Sequence, residues 1–472
     1  MTIFRCFVLW ALLCSFFLGG AFAMEEDSPV KTAAKILRDL PPELGSKVLQ
    51  HLSTEDLLSM QRNSSGAICA AARYELINRG GLVTFSMNTM RERDLPALVT
   101  FLQNRAHAPH LTISSLNIPL LLRALESLPQ MDSAFSFKTL GVLTVRYTPN
   151  GQDIVLQLLD RNPSFMADFT SLDLSHNTIG VKGAAAIAGS SHMRCLTSLD
   201  LSYNYIGAGG ATAIAGSSHM RHLTFLDLRS NFDIGAAGAA AIANSIHMAQ
   251  LTSLNLSHNN IRDAGAAAIA NSIHMAQLIS LDLSQNTIGV DGAAAIARSS
   301  HMRCLTSLNL SQNNIGAGGA AVLANSIHMA QLTSLNLSQN NIGAGGAAAI
   351  ANSIHMAQLI SLDLSQNNIE DAGAIAIAGS SHMRCLTSLD LSYNYIGAGG
   401  AGGAAAIAGS SHMRRLTSLD LRRNFLGDAG AAAIANSPHL TGLTSLDLSD
   451  NDIGDAGATI IARFPYMTDL KI

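Results

Sequence analysis

The chain has 472 residues, a formal net charge of −4, and only 13% charged residues. Mild acidity excludes a nucleic-acid footprint, which needs a basic stripe. Aromatic residues are scarce, at 5%, and the single Trp stands at position 10.

The first segment reads as a leader. Met1-Thr-Ile-Phe-Arg5 is a short positive start, Cys6 to Gly20 is an apolar run, and Ala21-Phe22-Ala23 is a small-x-small cleavage site. The acidic Glu25-Glu26-Asp27 follows. This pattern predicts a secretory signal peptide over 1–23, cut after Ala23, and so an exported protein, secreted or periplasmic. The run is short for a membrane span, and none is expected after cleavage. Cys195, Cys304 and Cys385 recur at one repeat position in well-separated repeats, beyond disulfide reach. An exported chain without a disulfide framework fits a bacterial export, or a reducing destination, better than a eukaryotic secreted domain.

Residues 24–80 form a different module, with apolar positions at helical spacing. It contains Leu40-Pro41-Pro42-Glu43-Leu44, a run ending in Leu52, and Ser53-Thr-Glu55-Asp56-Leu57-Leu58. Ser53 followed by Asp56 is a helix-start pattern. The stretch resembles an F-box. That resemblance implies a small helical module that docks a Skp-type ubiquitin ligase adaptor through Leu40, Pro41, Leu44, Leu57 and Leu58. Asn63-Ser-Ser-Gly-Ala-Ile-Cys69 stands where that family carries a basic-aromatic stretch with Trp. This departure leaves a plain helical cap as the other reading.

From residue 169 an asparagine recurs every 27 residues over most of the chain, at Asn177, Asn204, Asn231 and onward to Asn451. Each sits in the frame L-x-x-L-x-L-x-x-N-x-I, as in Leu196-Thr-Ser-Leu199-Asp-Leu201-Ser-Tyr-Asn204-Tyr-Ile206. Leu at the first, fourth and sixth positions predicts inward residues of a short strand, and Ile at the eleventh turns the chain under the core. Gly183, Gly210, Gly238 and Gly265 are expected to open Ala-rich helices, and Met193, Met220 and Met248 to close the core on the return path. The asparagine amide is expected to satisfy backbone groups in the turn that leaves the strand. The frame resembles the leucine-rich repeats of the ribonuclease-inhibitor-like, or NLR, type. This implies an α/β horseshoe solenoid, one short parallel strand and one helix per repeat, over 169–472. Counting back in steps of 29 from Phe169 gives frames at Leu140, Leu111 and Leu82, read as degenerate repeats over 81–168. Met467-x-x-Leu470-x-Ile472 reads as a final bare strand.

The concave strand face is the natural binding surface of a solenoid. Its outward positions form ladders: acidic or amide from Asp173 to Asp447, then mostly Ser, then a mixed row from His176 to Asp450. A solvated polar face is the expected reading for most of them. Departures from the repeat norm stand out: Tyr203, Tyr205, Arg229 and Phe232, and again Tyr393, Tyr395, Arg422, Arg423 and Phe425. Tyr and Arg are enriched where binding energy concentrates. Tyr203, Arg229, Phe232, Tyr393, Arg422, Arg423 and Phe425 are therefore the candidate contacts for a protein ligand on the concave face. A duplicated block explains the two groups equally well. One histidine per repeat, from His192 to His439, is expected to stack like charges below about pH 6 and weaken the array; identical residues on parallel turns lack a converging metal cage.

Gly397-x-Gly399-x-x-Gly402 satisfies a dinucleotide pattern, but it arises from a Gly-Gly-Ala insertion into a repeat. No P-loop, H-E-x-x-H, C-x-x-C or G-x-S-x-G occurs. The sequence thus predicts no enzyme, no cofactor and no metal. It predicts a protein-binding scaffold, with an exported F-box-like effector as the leading form. An exported surface or periplasmic binding protein, and a GTPase-activating regulator of the Ran type, are the alternatives.

Overall fold

The computed structural model describes residues 169–462 and 468–472, the backbone of strands at 110–114 and 142–146, and positions 156 and 159. The leader, the F-box-like residues Leu40, Pro41, Leu44, Leu57 and Leu58, and the frame at Leu82 lie outside the described residues. The described residues fall into two compact units. One holds those up to Asn177 with Ser191–Leu196; the other is Thr178–Ser190 with Thr197–Ile472.

In the first unit three strands, β1 (His110–Ser114), β2 (Val142–Arg146) and β3 (Ser171–Asp173), pair in parallel and in sequence order. Leu143 pairs with Leu172, as the 29-residue step requires. The next step back differs. Leu111 pairs with Leu143 and Ile113 with Val145, so Leu111 occupies the fourth repeat position, not the first. The corrected register puts Leu111 and Ile113 at the two strand positions the frame reserves for apolar residues. The expected frame put Ser114 there instead.

The second unit repeats one motif. Its strands are β4 (Ser198–Asp200), β5 (Phe225–Asp227), β6 (Ser253–Asn255), β7 (Ser280–Asp282), β8 (Ser307–Asn309), β9 (Ser334–Asn336), β10 (Ser361–Asp363), β11 (Ser388–Asp390), β12 (Ser418–Asp420), β13 (Ser445–Asp447) and β14 (Asp469–Lys471). Each pairs in parallel with the next, leucine opposite leucine, as Leu199 with Leu226 and Leu446 with Leu470. Helices α1 (Gly180–Gly189), α2 (Gly207–Gly216), α3 (Gly235–Ala243), α4 (Arg262–Asn271), α5 (Val290–Arg298), α6 (Gly316–Ala324), α7 (Gly343–Asn352), α8 (Glu370–Gly379), α9 (Gly402–Gly409), α10 (Gly427–Ala435) and α11 (Asp455–Ile461) alternate with them. Strands stack about 4.8 Å apart and helices about 8–10 Å apart. The strands therefore line the inner face of this unit. Among the described residues no helix is long and apolar enough to cross a membrane.

The core is a stack of identical layers. In one repeat Leu199, Leu201, Ile206, Ala211, Ile214 and Met220 are all fully buried. Methionines close most layers, from a 3-10 turn such as Ser218–Met220 that precedes the next strand, and Leu440 takes this place before β13. The Ser217 hydroxyl accepts the His219 N–H and donates to the Ala188 carbonyl of the preceding helix. The repeat glycines lie inside the helices rather than opening them: α2 starts at Gly207, three residues before Gly210. A Cβ on Gly265 would stand 2.5 Å from Ile261 Cγ2 and 3.1 Å from the Ala236 Cα of the preceding helix. Only a hydrogen fits between them.

Candidate functional site

Each strand leads into a buried turn, and the asparagines build it. Asn204 Nδ2 donates to the carbonyls of Leu201 and Ser202, both at 3.0 Å. Its Oδ1 accepts the Ile179 N–H of the preceding repeat at 3.2 Å. Asn231 Nδ2 reaches back to the Leu201 carbonyl at 2.8 Å. The amide thus satisfies its own turn, as expected, and also clamps two repeats together.

The ladders divide differently from the expected solvated face. The serines at the seventh position, such as Ser202 and Ser257, are buried. Their N–H groups, and in several repeats their hydroxyls, donate to the carboxylate or amide two residues earlier, as Ser284 does to Asp282. The fifth-position side chains are half-buried structural acceptors. Crowding them has an electrostatic consequence. Burial, opposed by the Arg229 N–H and aided by the charge of Asp200, pushes Asp227 up to about 6. Burial and the charges of Asp363 and Asp420 push Asp390 up to about 6 despite the Ser392 N–H. Burial raises Asp420 too, with help from Asp447. Asp447 also loses hydration, but hydrogen bonds from Ser449 and the charge of Lys471 outweigh that and lower it.

The seven candidate contacts gather into two clusters of nearly the same build. None lies within a strand. They stand in the turns just beyond the C-terminal ends of β4, β5, β11 and β12, on the rim of the inner face. In the first cluster the Arg229 guanidinium lies 5.0 Å from the Tyr203 ring centroid. Phe232, 70% exposed, packs on Tyr205 at 4.8 Å. In the second, Arg422 and Arg423 flank Tyr393 at 5.3 and 5.1 Å. Phe425 stacks on Tyr395 at 6.0 Å. Arg423 also pairs with Asp450 at 2.9 Å, which holds its proton more firmly. Tyr205 and Tyr395 complete the aromatic pairs and belong with the seven.

The backbone under these aromatics is left-handed: φ is 58° at Tyr203, 57° at Tyr205, 48° at Phe232, 57° at Tyr393 and 60° at Tyr395. Other repeats fill the same two positions mainly with Asn, Gln, Ser, His or Thr, as at Gln339 and Asn341. Bulky residues are disfavoured there. Arg over Tyr is a solvent-exposed cationic platform, and the exposed aromatic pair beside it offers apolar area. Together they can hold an acidic or carbonyl-bearing group next to an apolar side chain.

The leucine-rich repeat pattern matches eleven segments: 167–188, 192–215, 219–243, 247–270, 274–297, 301–324, 328–351, 355–378, 382–403, 412–435 and 439–462. Together they span more than half of the chain. The chain belongs to the leucine-rich repeat family. Proteins of this family bind other proteins, and the solenoid serves as an interaction scaffold. No curated protein matches this leucine-rich repeat chain in sequence. Solved structures are similar to it at low identity. An internalin from Listeria monocytogenes is 16% identical over 89% of this chain and 94% of that one, with a TM-score of 0.43. A structure of the Rad7 and Elc1 complex in yeast is 15% identical over 94% and 98%, with a TM-score of 0.48. The leucine-rich repeat domain of APL1B is 16% identical over 86% and 93%, with a TM-score of 0.32.

Proposed function

We propose that this protein is a non-catalytic adaptor whose solenoid, of the ribonuclease-inhibitor-like type, holds a protein ligand at the two rim clusters. The observation that carries the reading is the recurrence of one contact chemistry, Arg over Tyr beside an aromatic pair, in an otherwise uniform array. Aromatic and Arg side chains dominate protein interfaces, and here Tyr203, Tyr205, Phe232, Tyr393, Tyr395 and Arg423 occupy left-handed positions that cost backbone energy. The F-box-like stretch supports the second half of the proposal: the N-terminal module docks a Skp-type ubiquitin ligase adaptor. The leader supports export, and export with an F-box-like module fits an effector delivered to a host cell.

Two measurements test the two halves. A photo-crosslinking residue at Phe232 or Phe425 captures one defined protein in host extract, while the same residue at Asn341 does not. Equal capture at all three positions would refute the rim clusters as the ligand site. Purified Skp-type adaptor co-elutes with the chain, and replacing Leu40-Pro41 and Leu57-Leu58 by Ala abolishes this. No co-elution leaves the N-terminal module as a helical cap.

A further inference from the structure

A continuous polar track joins the two rim clusters. The N–H at the eighth repeat position donates to the seventh-position carbonyl of the next repeat at 2.8–3.0 Å, unbroken from Tyr203 to Tyr393. The eighth positions therefore stack at strand spacing. Between the clusters five of them run from His258 to Gln366, and four are Gln. Five tenth positions run beside them from Asn260 to Asn368, and four are Asn. All ten residues are exposed, and none of them except His258 can carry a charge.

Charge returns at the ends. Arg229 stands at one, over Tyr203, and Arg422 at the other, over Tyr393. Past the second cluster the same two rows turn acidic, at Asp450 and Asp452. From β4 to β11, and from β5 to β12, the sheet takes seven strand steps. At about 4.8 Å per step the clusters lie about 34 Å apart along the stack. An extended chain covers that distance in about ten residues, at about 3.3 Å each.

We infer that the rim holds an extended peptide whose two anchors stand about ten residues apart. Its backbone lies along the amide track, and each anchor sets an acidic residue on an Arg–Tyr platform and an apolar neighbour on the aromatic pair. Such a ligand presupposes the rim clusters as the contact site proposed above. A side-chain amide offers donors and an acceptor, the complement of a peptide group. Asn368 Nδ2 already donates to Asn341 Oδ1 at 3.1 Å, so adjacent members of the track are close enough to serve one chain. In an extended peptide neighbouring side chains point to opposite sides. An acid can thus reach the Arg side of the rim while the next residue reaches the aromatic pair, and every second residue turns its N–H and C=O toward the amides. The Arg platforms select a carboxylate, which a neutral glycan lacks. Asp450 and Asp452 oppose an acidic tail that runs on past the second cluster.

Fluorescence anisotropy with the full chain and synthetic peptides tests this. The probe is Asp-Leu-Ser-Gln-Ser-Gln-Ser-Gln-Ser-Gln-Asp-Leu, with its carboxylates ten residues apart. One control sets them six apart; the other replaces one Asp-Leu by Ala-Ala. Expected is one probe per chain, bound at least about tenfold more tightly than either control. Arg229→Ala and Arg422→Ala should each lower the probe to the affinity of the single-anchor control. Gln312→Ala combined with Gln339→Ala should weaken the probe more than that control. All four side chains are exposed, so circular dichroism should not change. Two single-anchor peptides bound per chain, with no gain at the ten-residue spacing, would reject the track and leave the rim clusters standing. A probe untouched by the double Gln substitution would do the same. If no peptide binds but cross-linking at Phe232 and Phe425 still captures a protein, the ligand is a folded surface and the peptide alone is refuted. If cross-linking fails too, the rim site falls with it. Binding of a neutral linear glucan such as cellohexaose in place of the peptides would assign the track to carbohydrate instead.

Discussion

Asn286 accepts the backbone N–H of Asn259, one repeat earlier, at 2.9 Å through its side-chain oxygen. The same oxygen takes the Ile261 N–H at 3.1 Å, and the amide nitrogen donates to the Leu256 carbonyl at 2.9 Å and the Ser284 carbonyl at 3.0 Å. One side chain thus satisfies backbone groups of two repeats in a site closed to water. Asn286→Ala leaves them unpaired and should cost about 2–4 kcal/mol in urea unfolding. Asn352→Ala, at an exposed helix end, should stay within about 0.5 kcal/mol. Equal effects would mean that the ladder does not couple the repeats.

Much of this was legible in the sequence because a solenoid writes its contacts into a period. The leucine frame gave the layers, and the asparagine gave its own turn. What the frame could not show was where a half-exposed position ends. Ser202 and Ser257 look like surface residues by type, yet the carboxylate or amide two residues earlier draws their N–H groups inward. The rim clusters were visible as breaks in the repeat. Their place beyond the strand ends was not, because β4, β5, β11 and β12 are only three residues long and the turn begins sooner than the frame suggests. Leu111 was misplaced because a degenerate repeat with an altered step offers two frames, and only strand pairing chooses between them.

Acidification tests the crowded carboxylates. Asp227 and Asp390 sit near 6 in the folded chain, against 3.8 for a free carboxyl. A raised folded value means that the proton is bound more tightly when folded. The contribution to stability is complete below about pH 4 and is lost as pH rises through about 6. Asp227→Asn and Asp390→Asn remove this dependence while keeping an acceptor, as Asn255 does naturally for the Ser257 N–H. Each should raise stability at pH 7 by about 1–2 kcal/mol and leave it unchanged near pH 4. Denaturation at the two pH values, compared with the parent chain, isolates the carboxylates from every other titrating group. A gain of equal size at both values would reject the electrostatic explanation.

Glycine substitution separates packing from propensity. Gly265→Ala drives a methyl into Ile261 and the Ala236 backbone, and overpacking of this kind should cost about 1–3 kcal/mol. Gly345, also helical, has nothing within 4 Å of where a Cβ would stand. Gly345→Ala should stabilise by about 0.5–1 kcal/mol through helix propensity alone. Thermal unfolding of the pair should therefore show shifts of opposite sign. Two shifts of the same sign would show that helix spacing is not what the repeat glycines set.

The rim aromatics set stability against binding. Tyr205 and Phe232 hold left-handed backbone at 57° and 48°, where Asn is the better tolerated residue. Their mutual contact, with ring centroids 4.8 Å apart, is worth about 0.5–1.5 kcal/mol. The pair is largely exposed, which keeps it toward the lower figure and near the backbone relief that Asn brings. Tyr205→Asn combined with Phe232→Asn should therefore leave the free energy of urea unfolding within about 0.5 kcal/mol of the parent, or raise it. The same double substitution should remove capture of the ligand at the first cluster. A loss of stability well above 1 kcal/mol would identify the aromatic pairs as staples between repeats and withdraw the strain argument for a contact role.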